Sequence, residues 1–358
     1  MVSTRRILFP GLLPSFLKIR WYRWFTGAKI GKGTKISFFS YIRSPKVTIG
    51  DNCRIGPFTF IEASHELKLG NRVSIQMLTN IRTRIIEIDD DSEIMDNVRI
   101  GGIHTQHSRL KIGKHVGIFP YAYINPSHEI ILEDGVGIGG RCHLFTHGVW
   151  PSKLDGFPMK YAPIHLEKNV WLAWRVSILP GVTVGENSIL QSDAFVSKNV
   201  PPNSIVSGNP SKISELRIIK YENKDKINIL KDILTDLKEY REDNGEQTSD
   251  WVEEEEYFSF KTLHKKKNHV LFLAYLSDSA GKLNELLRSP DNRCKHHNIV
   301  LFQLNALQEV LGEFRSKKYS YFDLKEKRIH STLNSEMEEF REFFKRFGVN
   351  FNFDEKKS

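Results

Sequence analysis

The sequence predicts a mainly β protein, a solenoid of triangular coils followed by a helical linker and a small α+β domain. Three observations predict it. The nonamers IHLEKNVWL at Ile164 and VTVGENSIL at Val182 align eighteen residues apart with their aliphatic positions in register. Eighteen is three sixes, the period of hexapeptide coils built from three short strands, and a helical period of three to four does not fit these positions. The same beat recurs in VTIGDNCRI at Val47, LKLGNRVSI at Leu67, IEIDDDSEI at Ile86, LKIGKHVGI at Leu110 and IILEDGVGI at Ile130, seven copies in all. Finally, the beat ends in PPNSIVSGNP, where Pro201, Pro202 and Pro210 withhold ladder donors.

Taken in order, the chain opens on RRILFPGLLPSFLKIRWYRWFTG, residues 1–29 including its flanks. No acidic residue precedes Asp51, while ten lysines and arginines do: Arg5, Arg6, Lys18, Arg20, Arg23, Lys29, Lys32, Lys35, Arg43 and Lys46. Basic residues mixed with Leu, Phe and Trp suit either a helix capping the next domain or a segment lying on an anionic membrane face. Pro10, Gly11 and Pro14 break the apolar run far short of the ~20 residues that a spanning helix needs. A signal peptide is not expected, because no small-residue cleavage site follows.

The solenoid is expected over residues 30–213. Successive copies start 20, 19, 24, 20, 34 and 18 residues apart, so each step is one coil plus an insertion, and only one insertion is large. Inward aliphatic residues should stack from coil to coil. Gly50, Asn52, Gly70, Gly113, Gly185 and Asn187 are expected to supply positive φ at the corners. The large insertion, FTHGVWPSKLDGFPMKYAP from Phe145 to Pro163, has Trp150, Phe157, Tyr161, Lys153, Asp155 and Lys160 to line a sugar or cofactor site, or to pack on another subunit. Residues 214–257 should form an amphipathic helix, its stripe of Ile227, Leu230, Ile233 or Leu234, Leu237 and Tyr240 packed on the solenoid or its mates, and then an acidic linker, REDNGEQTSDWVEEEE. Residues 258–358 read as the α+β domain. It has a hairpin around HKKKN, a helix in SAGKLNELLRS, a strand running into a helix from Ile299, a strand pair around DLKEKRI and a closing helix and strand, with no nucleotide or metal motif.

Net charge is +9 over 358 residues, which favours anionic partners without choosing among them, and nucleic acid is not expected. Cys53, Cys142 and Cys294 are scattered without metal-ligand spacing and read as reduced residues of a cytoplasmic protein.

In THG before the insertion, NVW at Asn169–Trp171, ILPGVTVGENS at Ile178–Ser188 and NVPPNSIVSGNPSK at Asn199–Lys212, the chain resembles the hexapeptide-repeat acyltransferases, specifically the sugar O-acetyltransferases similar to maltose, galactoside and surface-polysaccharide enzymes. The resemblance implies a left-handed parallel β-helix, a homotrimer with sites between neighbouring prisms, acetyl-CoA as donor and a sugar or glycan precursor as acceptor. It places the general base at His147 and an acceptor-binding asparagine at Asn125. It also assigns Ala173 and Ser192 to the pantetheine path, the backbone N–H of Trp174 to the oxyanion, and Lys198 and Lys212 to the nucleotide phosphates. A neutral imidazole removes a hydroxyl proton as the oxygen attacks a thioester, so no covalent enzyme intermediate is required. Two positions depart from the pattern, Trp174 in place of a small residue and QSD at Gln191–Asp193 in place of glycine-alanine-glycine.

Amino-sugar N-acetylation and a non-catalytic trimeric scaffold are the alternative readings. A zinc site like that of the gamma-class carbonic anhydrases is disfavoured, because nothing resembling that family's other residues accompanies His143 and His147, so no metal is expected.

Overall fold

The computed structural model describes residues 10–148, 153–156, 160–216 and 221–249, and beyond them 251–253, 257–264, 268–275, 297–303, 319–324, 327–330 and 335–353. Arg5, Arg6, Trp150, Phe157, Cys294 and the helix expected in SAGKLNELLRS lie outside the described residues. The chain divides into two compact units, residues 1–218 and 219–358.

The first unit is a parallel β-solenoid. Lys29 pairs with Thr48, and the register continues through Lys68, Glu87, Lys111, Ile131, His165 and Thr183, which makes eight coils. The first residues of the repeats lie opposite one another, Val47 on Leu67, Leu67 on Ile86, Ile86 on Leu110, Leu110 on Ile130 and Ile130 on Ile164. A first face carries two-residue strands such as Lys35–Ile36, Gly137–Ile138 and Trp171–Leu172. The second face holds Tyr41–Arg43, Arg99–Gly101, Tyr123–Asn125, His143–Phe145, Ser177–Ile178 and Phe195–Val196. On the third lie Val47–Ile49, Arg109–Ile112, Ile130–Leu132 and Ile164–Leu166. Ile, Val and Leu from all three faces fill the interior as one continuous buried cluster. Each such side chain taken out of water contributes ~1.5–3 kcal/mol.

The three edges differ chemically. At the first edge, between the first and second faces, φ is positive at Phe39, Phe58, Leu78, Asn97, Tyr121, Arg141, Arg175 and Asp193. At the third edge it is positive at Asn52, Arg72, Asp91, His115, Asn169 and Asn187 among others. Gly50, Gly70, Gly113 and Gly185, expected to supply positive φ, do not. They are small for another reason: a Cβ on each would fall within 3.0 Å of the next coil, against Asn71, Asp90, Asp134 and the Pro201–Pro202 backbone respectively. The Asx carboxyl or amide that crowds the glycine also accepts the next N–H, as Asp51 N–H donates to Asn71 Oδ1 at 2.9 Å and Lys114 N–H to Asp134 Oδ1 at 2.7 Å. Pairing of Gly with Asp or Asn is thus a contact between coils.

The second edge is where chain is added. Phe60–Leu69 and Asn80–Ile88 run across it as long strands, with a register shift between Ala63 and Glu66. Residues 102–108 leave there as a loop, and so does the large insertion after Thr146.

The opening helix α1 (Ser15–Thr26) seals the first coil and ends at Gly27, whose φ of 68° caps it in the left-handed conformation. At the other end Ser204–Ser207 is covered by the antiparallel strand Lys212–Glu215.

In the second unit, helix α2 (Asn223–Asp243) starts with a capping box between Glu222 and Asp225. Its stripe, expected on the solenoid or its mates, packs in the second unit's own core. Leu230, Ile233, Leu234 and Leu237 lie in one buried cluster with Phe322, Ile329, Phe340, Phe344 and Phe351. The acidic stretch after it is no free linker either. Gln247–Thr248 and Val252–Glu253 pair with Tyr257–His264, and Glu246 forms an ion pair with buried Arg241, Nη1 to Oε2 at 2.7 Å. A partner for the Glu246 carboxylate and a strand edge for the backbone draw this stretch into the sheet. The sheet mixes the antiparallel pair Tyr257–His264 and Asn268–Tyr275 with parallel strands His297–Gln303 and Tyr319–Asp323, and helix α3 (Ser335–Lys345) follows.

Candidate active site

His147 stands on the second edge where the large insertion begins. Its strand, His147–Gly148, forms an antiparallel ribbon with Lys160–Tyr161, so the returning end of the insertion lies directly beside it. The Tyr161 ring stacks on the imidazole with centroids 5.2 Å apart and 24° between planes. Nδ1 of His147 is buried and has no hydrogen-bond partner among the described residues. Beneath it, Thr146 Oγ1 donates to Asn125 O at 2.6 Å and accepts the His128 N–H at 2.9 Å, which ties the His147 coil to the one before.

Asn125 is buried, and its side chain works inside the wall. Oδ1 accepts from Ser127 Oγ at 2.7 Å and from Ser127 N at 3.2 Å, while Nδ2 lies 3.5 Å from the Tyr123 hydroxyl. A Cβ on Gly102 would collide with this amide, so glycine there is what makes room for it. Ser127 is a hub that binds the 102–108 loop, accepting Ile103 N–H at 2.9 Å on Oγ and Thr105 Oγ1 at 2.8 Å on its carbonyl. His107, on that loop, stacks on His128 at 5.0 Å, and burial followed by His107 itself lowers the His128 pKa. His147, His128 and His107 therefore share one edge.

The residues assigned to the cofactor fall in three places. Ala173, Trp174 and Ser192 lie at the first edge in successive coils, joined by the Asp193 N–H donating to Trp174 O at 3.0 Å. Lys198 follows Phe195–Val196, which pairs with Ser177–Ile178 and through it with His143–Phe145, so it lies on the His147 edge two coils further on. Lys212 is on the closing strand, opposite Ser207. The first and second edges are separated by the width of the second face, roughly 15 Å at ~3.3 Å per residue. One chain therefore does not bring His147 together with the Trp174 N–H.

The two departures have local explanations. The Trp174 ring folds back over Gly140, where a Cβ would sit 2.6 Å from it, so the ring is seated on its own prism with half its surface exposed. Asp193 is held by Arg175 in a two-pronged pair, Nε to Oδ1 at 2.6 Å and Nη2 to Oδ2 at 2.7 Å, and the guanidinium lowers its pKa. Its negative charge is matched where it stands. Under the same edge, Cys142 Sγ lies 2.9 Å from Ala173 O, and burial pushes the thiol up to about 11, which makes it an unreactive filler.

Tyr161 was visible in the sequence as an aromatic residue of the insertion. Thr146 was visible only as part of THG and Ser127 was not, because a small hydroxyl residue near a turn carries no signal of the carbonyls it will reach.

No family model matches the chain. Over 107 residues it is 36% identical to a Staphylococcus aureus protein that bears the name "putative acetyltransferase", covering 29% of this chain and 53% of that protein. The chain spans about half the length of the curated relatives it matches. Among solved structures, it is similar to a UDP-N-acetylglucosamine acyltransferase from Bacteroides fragilis, with a TM-score of 0.42 and 23% identity over 52% of this chain and 69% of that one. A hexapeptide-repeat acetyltransferase from Vibrio cholerae, complexed with acetyl coenzyme A, gives a TM-score of 0.29 and 26% identity over 33% and 65% of the two chains. These curated relatives are acetyltransferases by name.

Proposed function

We propose that this protein transfers an acetyl group from acetyl-CoA to a hydroxyl of a sugar or glycan precursor, in the cytoplasm and in the service of surface-polysaccharide assembly. The observation that carries the reading is the setting of His147, an imidazole stacked on Tyr161 at an edge where the solenoid opens into insertions. In the reaction, His147 accepts the proton of the acceptor hydroxyl as its oxygen attacks the thioester carbonyl. A tetrahedral oxyanion forms, collapses with cleavage of the C–S bond, and the departing thiolate of CoA takes up the proton held by the imidazole. An aromatic face such as that of Tyr161 suits the apolar side of a sugar ring.

The oxyanion donor in this proposal is the Trp174 N–H, which makes no hydrogen bond among the described residues, and it lies on a different edge from His147. A complete site then takes His147 from one copy and Trp174 from another, which is the physical case for a trimer of prisms. Ala173 and Ser192 flank the cofactor beside Trp174, and Lys198 and Lys212 meet its phosphates as point charges. Asn125 acts through the wall it braces.

Purified protein incubated with labelled acetyl-CoA and a panel of sugars, oligosaccharides and nucleotide sugars tests donor and acceptor together. Replacing His147 by Ala should lower turnover by about 10²–10⁴-fold with the oligomer intact. Unchanged turnover would remove His147 from its role. An amide product in place of an ester would shift the reading to N-acetylation, and absence of acetyl-CoA binding by calorimetry would favour the scaffold.

A further inference from the structure

We propose that the N-terminal end of the solenoid is a docking surface for an anionic lipid bilayer. Three polar side chains of α1 face inward: Lys18 is fully buried, with Nζ donating to Ser37 O at 2.5 Å and to Gly11 O and Ser40 O at 3.3 Å each. Tyr22 is buried too, and its hydroxyl accepts the Ile42 N–H at 2.9 Å. Ser15 Oγ accepts the N–H of Ile36 at 2.9 Å. Hydrogen bonds to the open first coil, with Ile19 and Trp21 packed on the solenoid's core, therefore hold the helix, and others of its large apolar residues are left outside.

Those outside are Phe16, Trp24 and Phe25, 64%, 75% and 71% exposed, with Leu12 at 62% in the segment before them. The patch continues onto the first two coils. Phe39 donates its N–H to Gly11 O at 2.7 Å, and its ring stacks on Phe58 at 5.0 Å with both rings half exposed. Isolated exposed apolar residues need no explanation, but a contiguous group does. Around it stand Arg20, Arg23, Lys29, Lys32 and Lys35, all exposed and without an ion pair among the described residues. The Arg20 guanidinium lies over the Trp24 ring, 5.6 Å from its centroid.

Aromatic side chains ringed by unpaired cations match the headgroup region of an anionic membrane, where rings enter the interface and cations meet phosphates. Contact is at the surface, since no helix among the described residues is long and apolar enough to cross a membrane. A second copy docked through the same patch would set these cations against their own kind, and like charges across an interface weigh against it. The patch is built from the helix that seals the solenoid and is separate from the His147 edge, so this inference does not depend on the proposed chemistry.

Flotation of the full chain with vesicles tests it, using phosphatidylcholine alone and phosphatidylcholine containing phosphatidylglycerol. The protein should float with the anionic vesicles, remain behind with the neutral ones, and be released by raised salt. A variant carrying Phe16→Ser and Trp24→Ser, and a second carrying Arg20→Glu and Lys32→Glu, should each lose about tenfold or more in lipid affinity. These side chains are exposed, so the melting curve of the solenoid should stay unchanged and serves as the control for folding. Removal of the segment is unsuitable as a test, because Lys18 and Tyr22 would go with it. Failure to float with anionic vesicles, or flotation equal in both variants and the parent, overturns the proposal. Self-association without lipid that the Phe16/Trp24 variant abolishes would overturn it in favour of a second copy.

Discussion

The two ends of the solenoid solve one problem in different ways. A parallel β-helix leaves open ladder groups on its first and last coils, and an open ladder invites pairing with another chain. At the first coil the groups are met by side chains from a helix, Lys18 to the Ser37 and Ser40 carbonyls, Tyr22 and Ser15 to two N–H groups. At the last coil the chain folds back on itself. Lys212–Glu215 pairs antiparallel with Ser204–Ser207, and Pro201 and Pro202 have no N–H to leave open. A fold-back strand has little further surface to offer, whereas a helix seated by one face must show the other. That asymmetry is why the interaction surface falls at the N-terminal end.

The largest effect is expected from Lys18→Met. It takes a charged donor from three carbonyls; Gly11 O keeps the Phe39 N–H and Ser37 O keeps the Ser40 N–H, so Ser40 O is the one left unsatisfied among the described residues, and the loss should be about 2–3 kcal/mol. Urea unfolding followed by circular dichroism would read it, and a loss below ~1 kcal/mol would mean that the helix is not a plug. The substitution should also change the pH dependence. Burial pushes the Lys18 pKa from its ordinary 10.5 down to about 8, so the ammonium is still charged at neutral pH. Between those two values the unfolded chain holds a proton that the folded chain has released. Unfolding takes one up there, and this group's contribution to stability therefore rises with pH across the window from about 8 to about 10.5. Lys18→Met should remove that rise.

A smaller effect at the same end is expected from Tyr22→Phe, which keeps the ring and leaves the Ile42 N–H buried without its acceptor, at a cost of about 1–2 kcal/mol. Burial pushes the Tyr22 phenol far above its ordinary value, so that bond persists through the alkaline range in which Lys18 titrates. The two variants thus separate the pH-sensitive anchor from the insensitive one.

How much of this was legible in the sequence depends on whether the information is local. The coils were legible because each repeat faces its own copy: Leu67 lies on Val47 and Leu110 on Ile86 as the nonamers align. The small corner residue was legible too, but its reason was not. Gly70 avoids positive φ and is required because Asp90, twenty residues on, occupies the space a Cβ would take. Helix α2 was evident from its stripe, yet nothing local could say that Leu234 would meet Phe340. The site divides in the same way. His147 stood out beside its insertion, whereas the edge shared with His107 and His128, and the Ser127 bonds behind it, depend on which turns stack. The opening segment was hardest, since composition names basic and aromatic residues without telling which face of a helix will be inward. A buried lysine is the less expected choice and the one the open carbonyls demand.

The smallest effect belongs to the C-terminal end, through Ser188→Ala. Ser188 is buried, its Oγ donates to Pro201 O at 3.0 Å and accepts the Ser204 N–H at 3.1 Å, so it is that end's counterpart to the Tyr22 hydroxyl. Two bonds are lost, but Pro201 is exposed and its carbonyl can turn to water, which leaves one buried N–H as the net loss. A cost of about 1 kcal/mol follows, at the lower end of the range for Tyr22→Phe, since each substitution strands one buried N–H. Amide exchange would check it residue by residue: Ser204 and its neighbours should lose protection while the first coil keeps its own. Equal loss of protection at both ends would mean that the eight coils open as one unit, and the difference drawn between the ends would then hold for their surfaces alone.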